Sequence, residues 1–334
     1  MAGNKENVVI VAGDCSLTIL PAFGGKIASL RAGSHELIHA PLHPYPERND
    51  DLPFNAAGFD EGDAGGWDEC LPSVAACTVQ TAEGAAAIPD HGDLWRLTWQ
   101  VIEETPDSAT MRARCFSLPL ELTRTILIAE TAQGWRLHLL YSLANVGESP
   151  LPWSWAAHPL FRCQPGDSIV LPEEIQAVQV EGSRGNRLGR HGDTIAWPIA
   201  GLADGTNYDL RQAGAADAGT GDKLFAGPMR EGWCVLNRPS IGLRITIRFD
   251  ISLTPYLGLW LCYGGWPEGD GPKQVCIAPE PTTAPVDSLA EEGAWSRRIE
   301  PGETATWPME IEIEKVRLER IKLEMTDEPE PSTA

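Results

Sequence analysis

The stretch ELTRTILIAETAQGWRLHLLYSL, residues 121–143, decides the fold class. In its first half Leu122, Arg124, Ile126 and Ile128 share one side of an extended chain. In its second half Leu137, Leu139, Tyr141 and Leu143 oppose Arg136, His138 and Ser142. Successive side chains on a strand point to opposite sides, so a period of two with one apolar side predicts strands that bury a single face. That is the habit of antiparallel sheets, because parallel strands are covered on both faces and read as continuous apolar runs. The alternation returns in GLRITIRFD (242–250), through Ile245, Ile247 and Phe249, and in WPMEIEIE (307–314), through Met309, Ile311 and Ile313.

Shorter strand-like runs lie outward from these: VVIVA, LTILP, KIASLR, LWRLTWQVI, ATMRARCFSL and YLGLWLCYGG, each punctuated by Gly, Pro, Asp or Asn. No long segment carries a helical face. So many strands exceed what one closed barrel needs, and the expectation is an all-β protein, a large antiparallel two-sheet β-sandwich. Residues 1–324 read as one domain without a linker. Within it, 181–223 is rich in Gly, Asp, Ala and Arg and weak in alternation, which reads as a loop-rich insertion. The acidic, Pro-rich tail 325–334 is expected to be disordered.

Composition narrows the function. The 334 residues are 43% hydrophobic, enough for a large core without staples. Twenty-six Lys and Arg against 47 Asp and Glu leave a formal charge of -21, which repels phosphate backbones and anionic lipid, so neither nucleic acid nor membrane is an expected partner. The N-terminus lacks a signal-peptide pattern and no apolar run is long enough to cross a bilayer, which reads as a soluble, cytoplasmic protein, monomer or homodimer. The 8 cysteines are scattered without a CxxC pair and read as buried free thiols. His35, His39 and His43 are interrupted by Pro41 and Pro44, so no metal site is expected there, and the glycine clusters at 62–66 and 182–189 read as turns.

Three segments set a titratable residue in a stiff context: PDHGDLW around His91, WSWAAHPLF around His158, and APEPTT around Glu280. His158 and Glu280 both precede a proline, which pushes their backbones into extended conformations. Preset backbones suit a general acid and base, whose hydrogen bonds must fall within a few tenths of an ångström of a reacting oxygen. Prolines that merely end strands would give the same pattern, and on these residues alone both readings stand.

Taken together and in order, the segments resemble the aldose 1-epimerases, the galactose mutarotase-like family. LTILPAFGGKIASLRAGSHELIHAP is similar to that family's opening strands, and IPDHGDLWRLTWQV to its Asp-His-Gly segment. LHLLYSLANVGESPLPWSWAAHPLF is similar to its Asn-x-Gly and His-Pro-x-Phe stretch, and LGLWLCYGG with IAPEPTTAPVDSL to its closing Glu-Pro segment. The resemblance implies a β-supersandwich, a monosaccharide substrate and no cofactor. It implies Glu280 as general base, His158 as general acid in its imidazolium form, and His91 as a second histidine on the sugar. Asp222, in GDKLF, would answer to a further substrate-contacting acid of the family. The chain departs from the galactose-acting members in one place. LPFNAAGFDEGDAGGWDECLPSV (52–74) has no arginine where they carry an Asn-Arg pair, and Trp67, Asp68 and Glu69 are the substrate-contact candidates instead. The 12 tryptophans suit stacking on a pyranose face, although most are expected in the core. Three activities follow as expectations: anomer interconversion of a free aldose, sugar binding or sensing without turnover, and epimerisation of a modified sugar.

Overall fold

The two halves of the deciding stretch form antiparallel strands Leu120–Glu130 and Gly134–Asn145, paired so that Leu122 faces Leu143, Arg124 faces Tyr141 and Ile126 faces Leu139. Cross-strand partners point to the same side of a sheet, so the two apolar faces coincide. Strand Thr304–Lys315 continues that face by setting Met309 against Leu139 and Ile311 against Leu137, and Leu243–Phe249 extends it through Ile245 and Ile247. The computed structural model describes residues 7–44, 59 and 65–316. Among them the strands form an eight-stranded sheet built around this group, a twelve-stranded sheet, and three two-stranded ribbons. All strand pairings between named strands are antiparallel. The fold is the expected all-β sandwich.

The centre of the twelve-stranded sheet runs, strand by strand, through Lys26–Ala32, Trp67–Cys70, Ala156–Pro159, Val275–Thr282, Tyr256–Tyr263 and Thr220–Ala226. Register sorts their side chains onto two faces. Ile27 pairs with Trp67, and Leu257, Leu259, Leu261 and Ile277 follow on the same side; these residues join Leu122, Ile126, Leu139 and Ile311 of the other sheet in one buried cluster. Each fully buried Leu or Ile contributes roughly 1.5–3 kcal/mol, which is what makes room in this layer for a buried ion pair. Arg124 points inward and meets Glu69 at 2.9 Å.

The reverse face of the same sheet carries the chemistry. His158 pairs with Asp68, Glu280 with Gly258, and Lys223 with Trp260, and by the alternation of each strand all of these share the side away from the other sheet, together with Lys26. Residues 181–223, expected as a loop-rich insertion, are mostly turns and loops with short strands among them. Thr194–Ala196, Ile199–Gly201 and Asn207–Asp209 are three residues each, too short to show a period, and Thr220–Ala226 is an inner strand of the large sheet. The tail 325–334 lies outside the described residues, as does Gly62.

Candidate active site

Glu280 sits in the middle of strand Val275–Thr282, between two prolines that cannot donate to a ladder. Pairing with Tyr256–Tyr263 is continuous from Val275 to Thr282, whereas on the other side it lapses between Ile277 and Thr282. Pro279 and Pro281 fall in that lapse. Opposite Glu280 is Gly258, where an added Cβ would come 3.1 Å from Glu280 Oε2, so the absence of a side chain there gives the carboxylate its space. His158 sits on the neighbouring strand, one residue before Pro159, with its Nε2 3.7 Å from Glu280 Oε1.

His91 reaches the same place from a turn. Its φ of 57° is left-handed, and Gly92 follows at 70° with its α-carbon so close to Leu71 that a Cβ would stand 2.2 Å from the Leu71 carbonyl oxygen. The His91 N–H donates to the Val74 carbonyl at 2.6 Å. The turn is fastened by the buried Asp93 carboxylate, which accepts the Phe116 and Ser117 N–H groups and the Ser117 hydroxyl, each at 2.8 Å. His91 Nδ1 lies 3.1 Å from Asp90, and its ring stacks on Phe59 at 3.9 Å and meets His158 edge-on at 5.1 Å.

These groups surround a cavity of about 370 Å³. His91, His158, Lys223 and Asp287 supply its polar wall, and Phe59, Trp260 and Trp266 its aromatic wall. Trp260 and Trp266 meet edge to face, 6.4 Å apart, and Trp260 donates its indole N–H to Gln274 at 2.9 Å. Glu280 is 1% exposed and lies behind His158 and Lys223 rather than in the wall. Lys223 Nζ donates to Glu280 Oε2 and stands 3.4 Å from Asp287 Oδ1, while Glu280 Oε1 has no hydrogen-bond partner among the described residues.

The electrostatics differ from the expected imidazolium facing a carboxylate. Burial, then the charges of His91, Lys223 and Lys26, push the His158 pKa well below the ordinary histidine range, so this imidazole is neutral at neutral pH. The cation beside Glu280 is Lys223. Burial alone would lower the Lys223 pKa, but Asp287 and Glu280 outweigh it and hold the ammonium above its usual value. Burial also raises Glu280, with Asp287 adding to the rise and Lys223 opposing it. An ion pair alone would lower the acid; the carboxyl rises because it is sealed from water and shares its cation with a second carboxylate.

The structure brings together His91, His158 and Glu280, and places Asp68 beside them on the site face, ion-paired to Lys26 behind the cavity wall. It turns the other three candidates away. Trp67 and Glu69 occupy the core side of their strand; Trp67 is fully buried against the other sheet, and Glu69 accepts from Arg124, Tyr141 and Trp155 at 2.9–3.0 Å. Asp222 is the neighbour of Lys223 on the strand and therefore faces the opposite way, where Arg187 and Ser183 hold its fully buried carboxylate. Strand parity is the physical reason in all three cases. Lys223, Asp287, Phe59 and Trp260 are the site residues that the sequence reading missed. Lys223 was one residue from the residue chosen, and Asp287 lies in the same APEPTTAPVDSL segment as Glu280.

No family model matches the sequence, and no curated protein does. Solved structures do match. A candidate aldose 1-epimerase from Escherichia coli K12 superimposes with a TM-score of 0.68 at 16% identity, over 93% of this chain and 99% of that one. The Slr1438 protein from Synechocystis sp. PCC 6803 gives 0.67 at 17% identity, over 92% and 96%. A galactose mutarotase-like protein from Clostridium acetobutylicum gives 0.62 at 14% identity, over 92% and 95%. At such identities it is the backbone that is shared. The chain has the galactose mutarotase-like fold.

Proposed function

We propose that the protein binds a free aldose in the cavity and interconverts its α and β anomers by acid–base ring opening. The observation that carries this reading is a pyranose-sized cavity walled by His91 and His158, with Glu280 Oε1 3.7 Å from His158 Nε2 just behind that wall. In the reaction the anomeric hydroxyl loses a proton, the ring oxygen gains one as its bond to C1 breaks, C1–C2 turns, and closure on the other carbonyl face inverts the anomer. Glu280 is the proton acceptor, reached past the His158 and Lys223 side chains that stand between it and the cavity; one of its oxygens is engaged by Lys223 and the other is without a hydrogen bond among the described residues. Neutral His158, and His91 across from it, hydrogen-bond and orient the sugar hydroxyls. A volume of about 370 Å³ is near the lower end of the roughly 300–1,000 Å³ found for ligand pockets, which favours one monosaccharide. Asp90 and Asp287 in the wall disfavour a phosphate or a uronate, so the substrate is a neutral sugar.

The test is anomer exchange of a panel of free aldoses, followed by NMR exchange spectroscopy or polarimetry with and without protein. Acceleration above the buffer rate is expected for at least one sugar. A second reading, sugar binding without turnover, is favoured by the Lys223–Glu280 contact, which occupies part of the base; calorimetric binding with no acceleration would select it. The pH dependence follows from Glu280. Protonation removes the acceptor, and its pKa is raised above 4.5, so exchange should fall on the acid side at a pH above the ordinary carboxylate range. An acid limb at or below pH 4.5 would contradict Glu280 as the acceptor.

A further inference from the structure

A buried carboxylate already held by an ammonium is a poor base unless its surroundings tolerate the proton it takes up. Glu280 is faced by Lys223 and His158 from the neighbouring strands, by Asp68 and Cys70 of Trp67–Cys70, by His91 from its turn, and by Asp287 from the segment that follows its own strand. Lys26 is paired with Asp68, and His91 stands beside Asp90. Among the described residues the cation in contact with Glu280 is Lys223, and Glu280 does not hold it alone. Lys223 Nζ also stands 3.4 Å from Asp287 Oδ1, so one ammonium lies between two carboxylates. The Asp287 backbone is fixed at that place. Its carbonyl accepts the Val74 and Ala75 N–H groups at 3.0 and 2.8 Å and the Ser73 hydroxyl at 3.1 Å, and its N–H donates to Glu181 at 3.3 Å. The Val74 carbonyl accepts from His91, so one short segment fastens both His91 and Asp287 to the cavity. We propose that Asp287 is the positioning residue of the base: it keeps Lys223 paired while Glu280 carries the proton, and so lets an ion-paired carboxylate serve as acceptor. This rests on the anomer-exchange reading above.

The charges explain why two carboxylates are needed. Two carboxylates and one ammonium leave one net negative charge on the set. Uptake of the anomeric proton makes Glu280 a neutral acid and leaves Lys223 and Asp287 as a compensated pair. With Glu280 as the only partner of Lys223, the same uptake would strand an ammonium whose side chain is 10% exposed, and a stranded buried charge is costly. The proton would then stay on the sugar. Asp287 therefore acts through Lys223 and leaves the transfer itself to Glu280. The balance at Glu280 has the same sense: burial raises its pKa, Lys223 opposes the rise and Asp287 adds to it. Glu181, with His191 and Glu291 beyond it, bonds the backbone N–H of Asp287, which leaves the Asp287 carboxylate to Lys223.

Asp287→Asn keeps the shape and the backbone bonds and removes the charge. The acid limb of the pH–rate profile should move to lower pH by about one unit, because Lys223 then serves Glu280 alone. The plateau rate should fall roughly 3- to 10-fold as the base weakens. Asp287→Glu returns the charge and should return the limb toward its wild-type position. A limb that stays in place or moves to higher pH in Asp287→Asn overturns the proposal, and so does Asp287→Glu behaving as Asp287→Asn does. If the asparagine variant does not fold, the wild type decides by ¹³C NMR of labelled Asp and Glu carboxyls, assigned through Glu280→Gln and Asp287→Glu. Glu280 should take up its proton at a higher pH than Asp287, and the reverse order overturns the inference. The same titration separates the two claims. A wild type that accelerates exchange of no sugar removes the anomer-exchange reading, whereas the order of protonation still decides whether Asp287 compensates Lys223.

Discussion

Glu280→Gln is expected to lower catalysed anomer exchange by roughly 10²- to 10⁴-fold while sugar binding stays within a few fold. The amide has the carboxylate's shape and keeps one oxygen to accept from Lys223, but it cannot take up a proton. Stability should fall only modestly, by about 1–3 kcal/mol, because Lys223 retains Asp287 at 3.4 Å and borders the cavity, where water reaches it. Anomer exchange by NMR, with calorimetric binding on the same sample, reads both effects. Exchange near the wild-type rate in a variant that binds sugar would remove Glu280 from the reaction. Loss of binding and of folding together would mean that the Lys223–Glu280 pair serves the sheet rather than the sugar.

The sandwich was legible because one-sided strands leave a mark at period two, and two of the long ones, Leu120–Glu130 and Gly134–Asn145, keep it through their length. Arg124 falls on that apolar face, and the structure supplies the buried partner its guanidinium requires in Glu69. The proline-flanked residues were legible for a similar reason, since a stiff backbone is written in the neighbours. What alternation does not show is which face of a strand meets the cavity when both faces bury polar groups. In GGWDEC the site side holds Asp68 and the core side holds Trp67 and Glu69; in GDKLF it holds Lys223, not Asp222. A shift of one residue reverses the assignment. The neutral state of His158 was hidden for a different reason, because it depends on burial first and then on His91, Lys223 and Lys26, which are distant in sequence and adjacent only after folding.

Glu69→Ala separates a core carboxylate from a sugar ligand, and the core placement predicts a large loss of stability. The side chain accepts hydrogen bonds from Arg124, Tyr141 and Trp155, all buried, between the two sheets. Its removal leaves three buried donors without their acceptor, and one of them is a guanidinium that cannot shed its charge. Breaking such a pair by deleting one partner costs about 3–5 kcal/mol, a fifth or more of the roughly 5–15 kcal/mol that holds a typical domain together. The pH dependence gives a second signature. Burial, only partly offset by Arg124 and the hydrogen bonds, raises the Glu69 pKa from 4.5 to about 7. Through that window the folded protein holds a proton that the unfolded chain releases, so this residue's contribution falls as pH rises, opposite in sign to an exposed salt bridge. The stability gap between wild type and Glu69→Ala should therefore be widest near pH 5 and narrow toward pH 7, as read from urea unfolding midpoints at a series of pH values. A gap below about 1 kcal/mol at every pH, combined with weakened sugar binding, would return Glu69 to the cavity and overturn the register on which the site is built.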